Sequence, residues 1–221
     1  ARWRRAAVRR ARYAGARGAT GSFSAPRSIS SLEAAGAEII TFGPLNDECA
    51  PECDGLIFGG GFPEIFAAQL AANKTMKESV ARAAASGLPI YSECGGFMYL
   101  TREIKDFEGA AHEMCGIIPM SCKMNDRLRT VGYVTAKALR DTVIAAEGEE
   151  LRGHEFHFSS AEPLEEIPNA FLFTKTRTGK TYPAGYANGN VLGSSLHLHF
   201  ADFPKAAEKF VEKCAEHKNL K

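Results

Sequence analysis

Short apolar segments alternate with amphipathic segments along the first half of the chain. Residues 37–42, 54–58 and 88–91 are apolar runs of strand length, and each of them adjoins a glycine. A segment opened by Pro63 and residues 75–85 show the spacing of apolar side chains that is typical of helices. Strands that alternate with helices predict an α/β fold with a mainly parallel sheet and flanking helices.

The pattern changes after about residue 106, where polar and apolar side chains begin to alternate. Segments 127–138, 153–159 and 191–200 show the two-residue period of strands. Residues 205–217 form an amphipathic helix near the end of the chain. We therefore expect an additional β-rich C-terminal portion after the α/β part.

The first 30 residues differ from everything that follows, because they contain eight arginines and no acidic residue. A segment rich in Arg and Ser and poor in acids is typical of targeting sequences, and a basic arm could bind an anionic partner. A third interpretation is that the segment is foreign to the fold. We predict that residues 1–30 are disordered or outside the fold and that the folded domain spans residues 31–221.

Composition places the chain among ordinary globular proteins. Of its 221 residues, 45% are hydrophobic and 24% are charged, and the net charge of +1 gives no electrostatic argument for nucleic acid or a membrane surface. No apolar run reaches the roughly 20 residues that a membrane helix needs. The six cysteines lack the spacing of a zinc ribbon. We therefore expect reduced thiols, a cytoplasmic protein and no bound metal.

The segment LPIYSECGGFMYL, residues 88–100, carries the most specific chemical signal. Its apolar run passes through Cys94 directly into a helical pattern that extends to about residue 104. This arrangement holds the cysteine in a tight turn at the end of a buried strand. The helix N-terminus would favour a thiolate, and the amide of Gly95 would face a developing oxyanion. Cys94 is therefore a candidate nucleophile, and a small cysteine that packs at a strand end is the alternative.

A run of three glycines, Gly59-Gly60-Gly61, follows the apolar run at 54–58. The carboxyl ends of parallel strands meet at one edge of a sheet, so we expect this run and Cys94 to lie at the same edge. The glycine amides could bind a substrate oxygen, or the run could be a plain turn.

The histidines of the C-terminal portion are candidates for a base. His197 and His199 are two residues apart and share one strand face, whereas the spacing of His154 and His157 puts them on opposite faces. One histidine of the first pair could activate a thiol, and a zinc site is the alternative.

Four segments stand in a fixed order along the chain: GLIFGGGFPE at 55–64, SECGGFMYL at 92–100, RGHEFHFSS at 152–160 and SSLHLHF at 194–200. Together they resemble the glutaminase domain of cobyrinic acid a,c-diamide synthases, a family of class I-type glutamine amidotransferases in corrinoid biosynthesis. The resemblance covers about residues 32–217. It implies a flavodoxin-like α/β fold and makes residues 31–221 a glutamine amidotransferase domain.

The resemblance also implies roles for single residues. Cys94 would attack the side-chain amide of glutamine and form a γ-glutamyl thioester. His197 would be the base, because related cobyric acid synthases have a single histidine at the corresponding place. The amides of Gly60, Gly61 and Gly95 would form the oxyanion hole. Supporting residues, near the cleft or a domain interface, would be His199, Glu155, His154 and Tyr133.

Partners and cofactors follow from the same resemblance. The family joins the glutaminase to an ATP-binding synthetase domain that uses ATP and Mg²⁺ to amidate the a and c carboxylates of a corrinoid. No GxxxxGK[ST] motif occurs in the sequence, so we expect this chain to bind no cofactor and to carry only the glutaminase half. Homo-oligomer formation stays open.

The identity of the tetrapyrrole also stays open among cobyrinate, hydrogenobyrinate and a nickel-sirohydrochlorin. Three alternatives to this function are the glutaminase domain of a cobyric acid synthase, another cysteine hydrolase of the same fold, and a non-catalytic fragment. The GHEFHF segment at 153–158 argues against a general hydrolase, which has no reason to carry it.

Overall fold

The structure is a computed structural model that describes residues 11–16 and 26–220. The strands are β1 (Ala11–Ala16), β2 (Ala37–Phe42), β3 (Gly55–Phe58), β4 (Ile90–Glu93), β5 (Thr101–Lys105), β6 (Ala111–Glu113), β7 (Ile118–Met124), β8 (Thr130–Ala138), β9 (Glu150–His157), β10 (Ser159–Pro163), β11 (Phe171–Lys175), β12 (Thr181–Ala184), β13 (Tyr186–Asn188) and β14 (Val191–Ser194). The α-helices are α1 (Pro26–Ala34), α2 (Ala67–Ala72), α3 (Lys74–Ala85), α4 (Gly95–Leu100) and α5 (Pro204–Asn219), and a 3-10 helix spans Pro63–Phe66.

A six-stranded sheet with the order β13-β14-β4-β3-β1-β2 forms the centre of the α/β part. Every neighbouring pair in it is parallel except β13 and β14. Successive side chains of a strand point to opposite faces. Accordingly, Ile57 belongs to one buried apolar cluster, together with Phe210 of α5, and Phe58 belongs to another, together with Leu70 of α2. The prediction of a mainly parallel sheet covered by helices is confirmed.

The prediction that residues 1–30 lie outside the fold is wrong for the part that the structure describes. β1 pairs in parallel with both β2 and β3, so that Tyr13 lies opposite Ile39 on one side and Gly55 on the other. Helix α1 then begins at Pro26. The sequence ARYAGA lacks the alternation and the β-branched residues of a typical strand, so its pairing depends on the two strands beside it. Residues 1–10 and 17–25 are outside the described residues, and the three interpretations of this segment remain untested there.

The helix after Cys94 is shorter than the pattern suggested. The sequence favoured a helix to about Ile104, but α4 ends at Leu100 and β5 follows at once. The Thr101 hydroxyl donates to the carbonyl of Met98 at 2.7 Å, and the Thr101 backbone is extended. Pairing of β5 with β7 is therefore preferred over further helical turns.

The β-rich portion consists of two four-stranded sheets, with the orders β10-β7-β5-β6 and β12-β11-β8-β9. β8 and β9 form a long antiparallel pair in which Tyr133 lies opposite His154 and Gly132 lies opposite Glu155. This register puts Glu155 on the face that carries the buried Val134 and Leu151, and Tyr133 on the other face. Within the described ranges, no helix has the length and apolar character needed to cross a bilayer.

Candidate functional site

Cys94 occupies a sharp turn between β4 and α4. Its backbone has φ 44° and ψ −105°, and among the described residues it is the one non-glycine residue with positive φ. The Cys94 amide donates to the carbonyl of Ser194 at 2.8 Å, and the amide of Met98 donates to the Cys94 carbonyl at 3.0 Å. A non-glycine residue in such a conformation is strained by about 1–3 kcal/mol and persists only where its surroundings hold it. The predicted tight turn is therefore present.

The glycine run Gly59-Gly60-Gly61 packs directly against this turn. The amide of Gly96 donates to the carbonyl of Gly59 at 3.0 Å. A Cβ atom on Gly95 would lie 2.6 Å from the carbonyl oxygen of Gly61, so a larger residue at position 95 would collide with backbone. Glycines at both places allow the two backbones to approach each other, and the structure brings Gly60, Gly61 and Gly95 together beside Cys94.

The ring of His197 lies against the same glycine run. A Cβ atom on Gly60 would lie 2.8 Å from Cε1 of His197 and 4.0 Å from Cβ of Cys94. The two side chains therefore converge across Gly60. The sequence predicted one strand over 191–200, but β14 ends at Ser194, and the chain then turns so that Leu196 and Leu198 enter the core. His199 lies in the same segment and is exposed.

His154 joins His197 through backbone and ring contacts. The amide of each residue donates to the carbonyl of the other, at 3.2 Å and 2.9 Å. The two imidazole rings are stacked with centroids 4.9 Å apart, and the ring of His199 lies 6.4 Å from that of His154. Tyr133 contacts His154 edge to face at 6.3 Å and is 74% exposed. The structure thus brings together four of the histidine and tyrosine candidates from three segments.

Glu155 is the centre of a hydrogen-bond network that the sequence did not predict. Its carboxylate accepts hydrogen bonds from the hydroxyls of Tyr182 and Ser195, the latter at 2.8 Å, and lies 3.4 Å from Nε2 of His157. The side chain of Glu155 is only 3% exposed. Tyr182 lies on β12, far away in sequence, and no local pattern marks it, whereas Ser195 lies within the SSLHLHF segment but had no role assigned to it.

A cavity of about 550 Å³ opens between these elements. Its lining includes Cys94, Met98, Glu155, His157, Tyr182 and Ser195. A smaller pocket of about 40 Å³, lined in part by Gly61, Phe62 and Glu64, also contains Cys94 in its wall. The sulfur-bearing turn is therefore accessible to a small molecule from the larger cavity.

Burial keeps both partners of the Cys94–His197 pair neutral. Burial raises the pKa of the Cys94 thiol to about 12, and nearby carboxylates add to this effect, whereas the amide of Gly95 opposes it. Burial, and then the neighbouring histidines, lower the pKa of His197 to about 4. The expectation that the helix N-terminus favours a resting thiolate is thus outweighed, since α4 has only six residues and the sulfur is desolvated.

No group of three or more His, Cys, Asp and Glu side chains has the arrangement of a metal site in the ranges 11–16 and 26–220. The clustered histidines His154, His197 and His199 include a near-parallel ring stack, which directs the ring faces rather than the nitrogens at one another.

Proteins with known activities resemble this chain over most of its length. The cobyrinate a,c-diamide synthase of Salmonella typhimurium is 42% identical over 193 residues, which are 86% of this chain and 42% of that protein. The hydrogenobyrinate a,c-diamide synthase of Streptomyces coelicolor is 41% identical over 206 residues, 93% of this chain and 40% of that protein. The chain spans about two fifths of the length of these relatives.

Solved structures support the fold. PurLQS from Thermotoga maritima superposes with a TM-score of 0.67 at 18% identity and covers 96% of this chain and 100% of that chain. A crystal structure of a glutamine amidotransferase superposes with a TM-score of 0.61 at 17% identity, over 91% of this chain and 98% of that chain. The family model for the CobB/CobQ-like glutamine amidotransferase domain matches residues 20–205, and its match begins ahead of the predicted boundary at residue 31. The chain therefore belongs to the CobB/CobQ-like glutamine amidotransferase family.

Proposed function

We propose that this chain hydrolyses glutamine at Cys94 and supplies ammonia for the ATP-dependent amidation of the a and c carboxylates of cobyrinate. The observation that carries the proposal is the convergence of Cys94, held at positive φ, and His197 on the glycine Gly60. A strained nucleophile beside a histidine and a glycine-lined backbone is the arrangement that acyl transfer needs.

The first half-reaction begins with glutamine in the cavity. Sγ of Cys94 attacks the side-chain amide carbon while its proton moves to His197, and the carbonyl oxygen becomes an oxyanion. When the C–N bond breaks, His197 returns the proton to the leaving nitrogen, which departs as ammonia. A γ-glutamyl thioester remains on Cys94. Water then attacks the thioester with His197 as base, which releases glutamate and regenerates the thiol.

Backbone amides stabilise the oxyanion in this mechanism. The amide of Gly95 opposes the rise that burial causes in the pKa of the Cys94 thiol, so this amide lies close to the reacting sulfur. Gly60 and Gly61 supply further candidate amides beside the same turn. Loss of one oxyanion donor typically costs about 100- to 1,000-fold in rate.

His197 is favoured over His199 as the base. His197 contacts Gly60 beside Cys94, whereas His199 is exposed. Position 199, two residues after the base, holds no acid in this sequence. The resting pair is neutral, and so proton transfer from Cys94 to His197 accompanies the attack on the amide rather than preceding it.

The ammonia acceptor and the synthetase partner are inferred from the names and lengths of the relatives. Both named relatives are a,c-diamide synthases more than twice as long as this chain, so we propose that an ATP- and Mg²⁺-dependent synthetase part activates the carboxylates. Hydrogenobyrinate is the second candidate acceptor, because its synthase matches nearly as well. Exposed Tyr133, Val131 and Phe156 lie on the face of β8 and β9 that carries His154, the bridge partner of His197, and would contact that synthetase part, in the cytoplasm.

The test is reconstitution with a synthetase part from a relative, ATP, Mg²⁺ and cobyrinate. We expect glutamine-dependent formation of the diamide, and with Cys94→Ala we expect amidation from added ammonia but none from glutamine. Glutamine-dependent amidation by Cys94→Ala at the wild-type rate would contradict the mechanism. Replacing cobyrinate by hydrogenobyrinate ranks the two acceptors.

A further inference from the structure

The carboxylate of Glu155 has a buried position inside the same cavity as Cys94. Glu155 lies on the inward face of β9, opposite Gly132, and its side chain is 3% exposed. Glu155 and Cys94 both line the 550 Å³ cavity. A buried carboxylate is costly unless hydrogen bonds or a cation compensate its charge.

Hydrogen bonds hold the Glu155 carboxylate in its charged form. Burial alone would raise the pKa of Glu155, but the hydrogen bonds from His157, Tyr182 and Ser195 together outweigh it and lower that pKa. A carboxylate has about four acceptor positions; the hydroxyls of Tyr182 and Ser195 occupy two of them, and Nε2 of His157 lies 3.4 Å from the carboxylate, which leaves at least one position for a ligand. Because the donors line the cavity as well, this position faces the space that a substrate would fill.

The carboxylates are the permanent charges around the cavity, since His157 is charged only when it is protonated. The ionisable lining residues, besides the neutral Cys94 and Tyr182, are Glu155, Glu165, Glu166 and His157, and none of the described lining residues is Lys or Arg. Glu165 and Glu166 lie at the exposed rim, whereas Glu155 is inside. Such a cavity attracts a cationic group to its interior.

We propose that Glu155 binds the α-ammonium group of glutamine while the side-chain amide of that glutamine lies at Cys94. This inference rests on the proposed function and adds a specificity determinant to it. A free amino acid carries its ammonium group a few bonds from the amide, whereas a simple amide or a side chain within a peptide has no such cation. Glu155 would therefore select free glutamine from other primary amides.

A purely structural role for Glu155 makes a different prediction. Ser195, which donates to Glu155, is two residues from His197, so Glu155 could act by holding the segment of the base. Loss of that support would slow the hydrolysis of every amide by a similar factor. Binding of the α-ammonium group instead affects only substrates that possess it.

The experiment compares L-glutamine with glutaramic acid, which is glutamine without its α-amino group, on the full chain. For Glu155→Gln we expect kcat/KM to fall at least about 100-fold with L-glutamine and less than about threefold with glutaramic acid, since a lost charged contact acts only where the cation exists. Glu165→Gln removes a rim charge from the same cavity and should change neither value more than about threefold. Equal falls with both substrates in Glu155→Gln would overturn the inference.

A measurement on the unaltered protein keeps the test valid if Glu155→Gln does not fold. Wild-type kcat/KM should favour L-glutamine over glutaramic acid by at least about 100-fold, and a preference below about threefold would overturn the role of Glu155. Hydrolysis of neither substrate by the wild type would contradict the proposed function itself. Hydrolysis of L-glutamine and glutaramic acid at similar rates would contradict the role of Glu155 but not the proposed function.

Discussion

At the residue scale, the site depends on one strained backbone conformation. The turn at Cys94 was predictable, because an apolar strand pattern runs into a helical pattern with two glycines after the cysteine. The protonation states of Cys94 and His197 were not predictable, since they depend on burial by segments that are distant in sequence. The roles of Tyr182 and Ser195 were missed because both residues contact Glu155, which is distant from them in sequence.

The strain at Cys94 predicts an unusual stability ranking. Glycine normally makes a folded protein less stable than alanine does at the same position. At φ 44° the order reverses, because glycine adopts this backbone conformation without strain and alanine does not. We expect Cys94→Gly to be more stable than Cys94→Ala by about 1 kcal/mol, measured by urea unfolding. Ser195→Gly and Ser195→Ala, at a position without positive φ, provide the matched pair and should show the usual order. The usual order at position 94 would mean that the turn is not strained.

The neutral resting pair predicts a broad pH optimum for glutamine hydrolysis. His197 must be unprotonated to accept the proton, and with its pKa lowered to about 4 the base form is lost only as the pH falls through that value. The Cys94 thiol, with its pKa raised to about 12, stays protonated as the pH rises through the alkaline range below that value. We therefore expect kcat/KM to be flat between about pH 6 and pH 8. A sigmoidal rise centred near the ordinary histidine pKa of about 6.5 would contradict this account.

At the scale of elements, the site is assembled by glycines that let three segments approach one another. The strands before Gly59 and Cys94 were predicted at nearly their observed places, and α3 was predicted within a residue. The residues at which α4 and β14 end were not predicted. Pairing with segments distant in sequence terminates both elements. His154 and His197 therefore meet through a bridge between segments that the sequence showed only as separate strands.

Two glycine substitutions should separate catalysis from stability. The Cβ of Gly60→Ala would lie 2.8 Å from the His197 ring, a side chain that can move, so we expect a folded protein with about 100-fold lower kcat/KM. The Cβ of Gly96→Ala would lie 2.3 Å from the carbonyl oxygen of Phe58, which is backbone, so we expect about 1–3 kcal/mol of destabilisation. Activity assays and urea unfolding of both variants measure the contrast. Full activity of Gly60→Ala would place His197 away from that glycine.

At the scale of the whole molecule, the parallel sheet and the β-rich portion could be predicted, and the contribution of the N-terminal segment could not. Arginines, alanines and glycines within 1–30 hid a strand that lies between β2 and β3. Strands β2 and β3 pair with this strand on its two sides. Its formation is therefore determined by the surrounding fold rather than by local propensity.

The position of β1 between β3 and the edge strand β2 predicts that a truncated chain fails to fold. A chain that starts at Pro26 loses the strand that links β2 to β3, and two unpaired strand edges remain. We expect it to aggregate or lack cooperative unfolding, measured by size-exclusion chromatography and circular dichroism. A chain that starts at Ala11 retains β1 and is the control, which should unfold cooperatively. A cooperatively folded, active chain from Pro26 would mean that β1 is dispensable.

The most direct test of Cys94 as the nucleophile is intact-mass labelling with 6-diazo-5-oxo-L-norleucine, an electrophilic analogue of glutamine. We expect a single adduct on Cys94. Glutamine should block it, Cys94→Ala should abolish it, and His197→Asn should slow its formation far more than His199→Asn. The exposed Cys49 serves as an internal control and should remain unlabelled. An adduct that persists in Cys94→Ala, or one that forms equally on Cys49, would contradict the central claim.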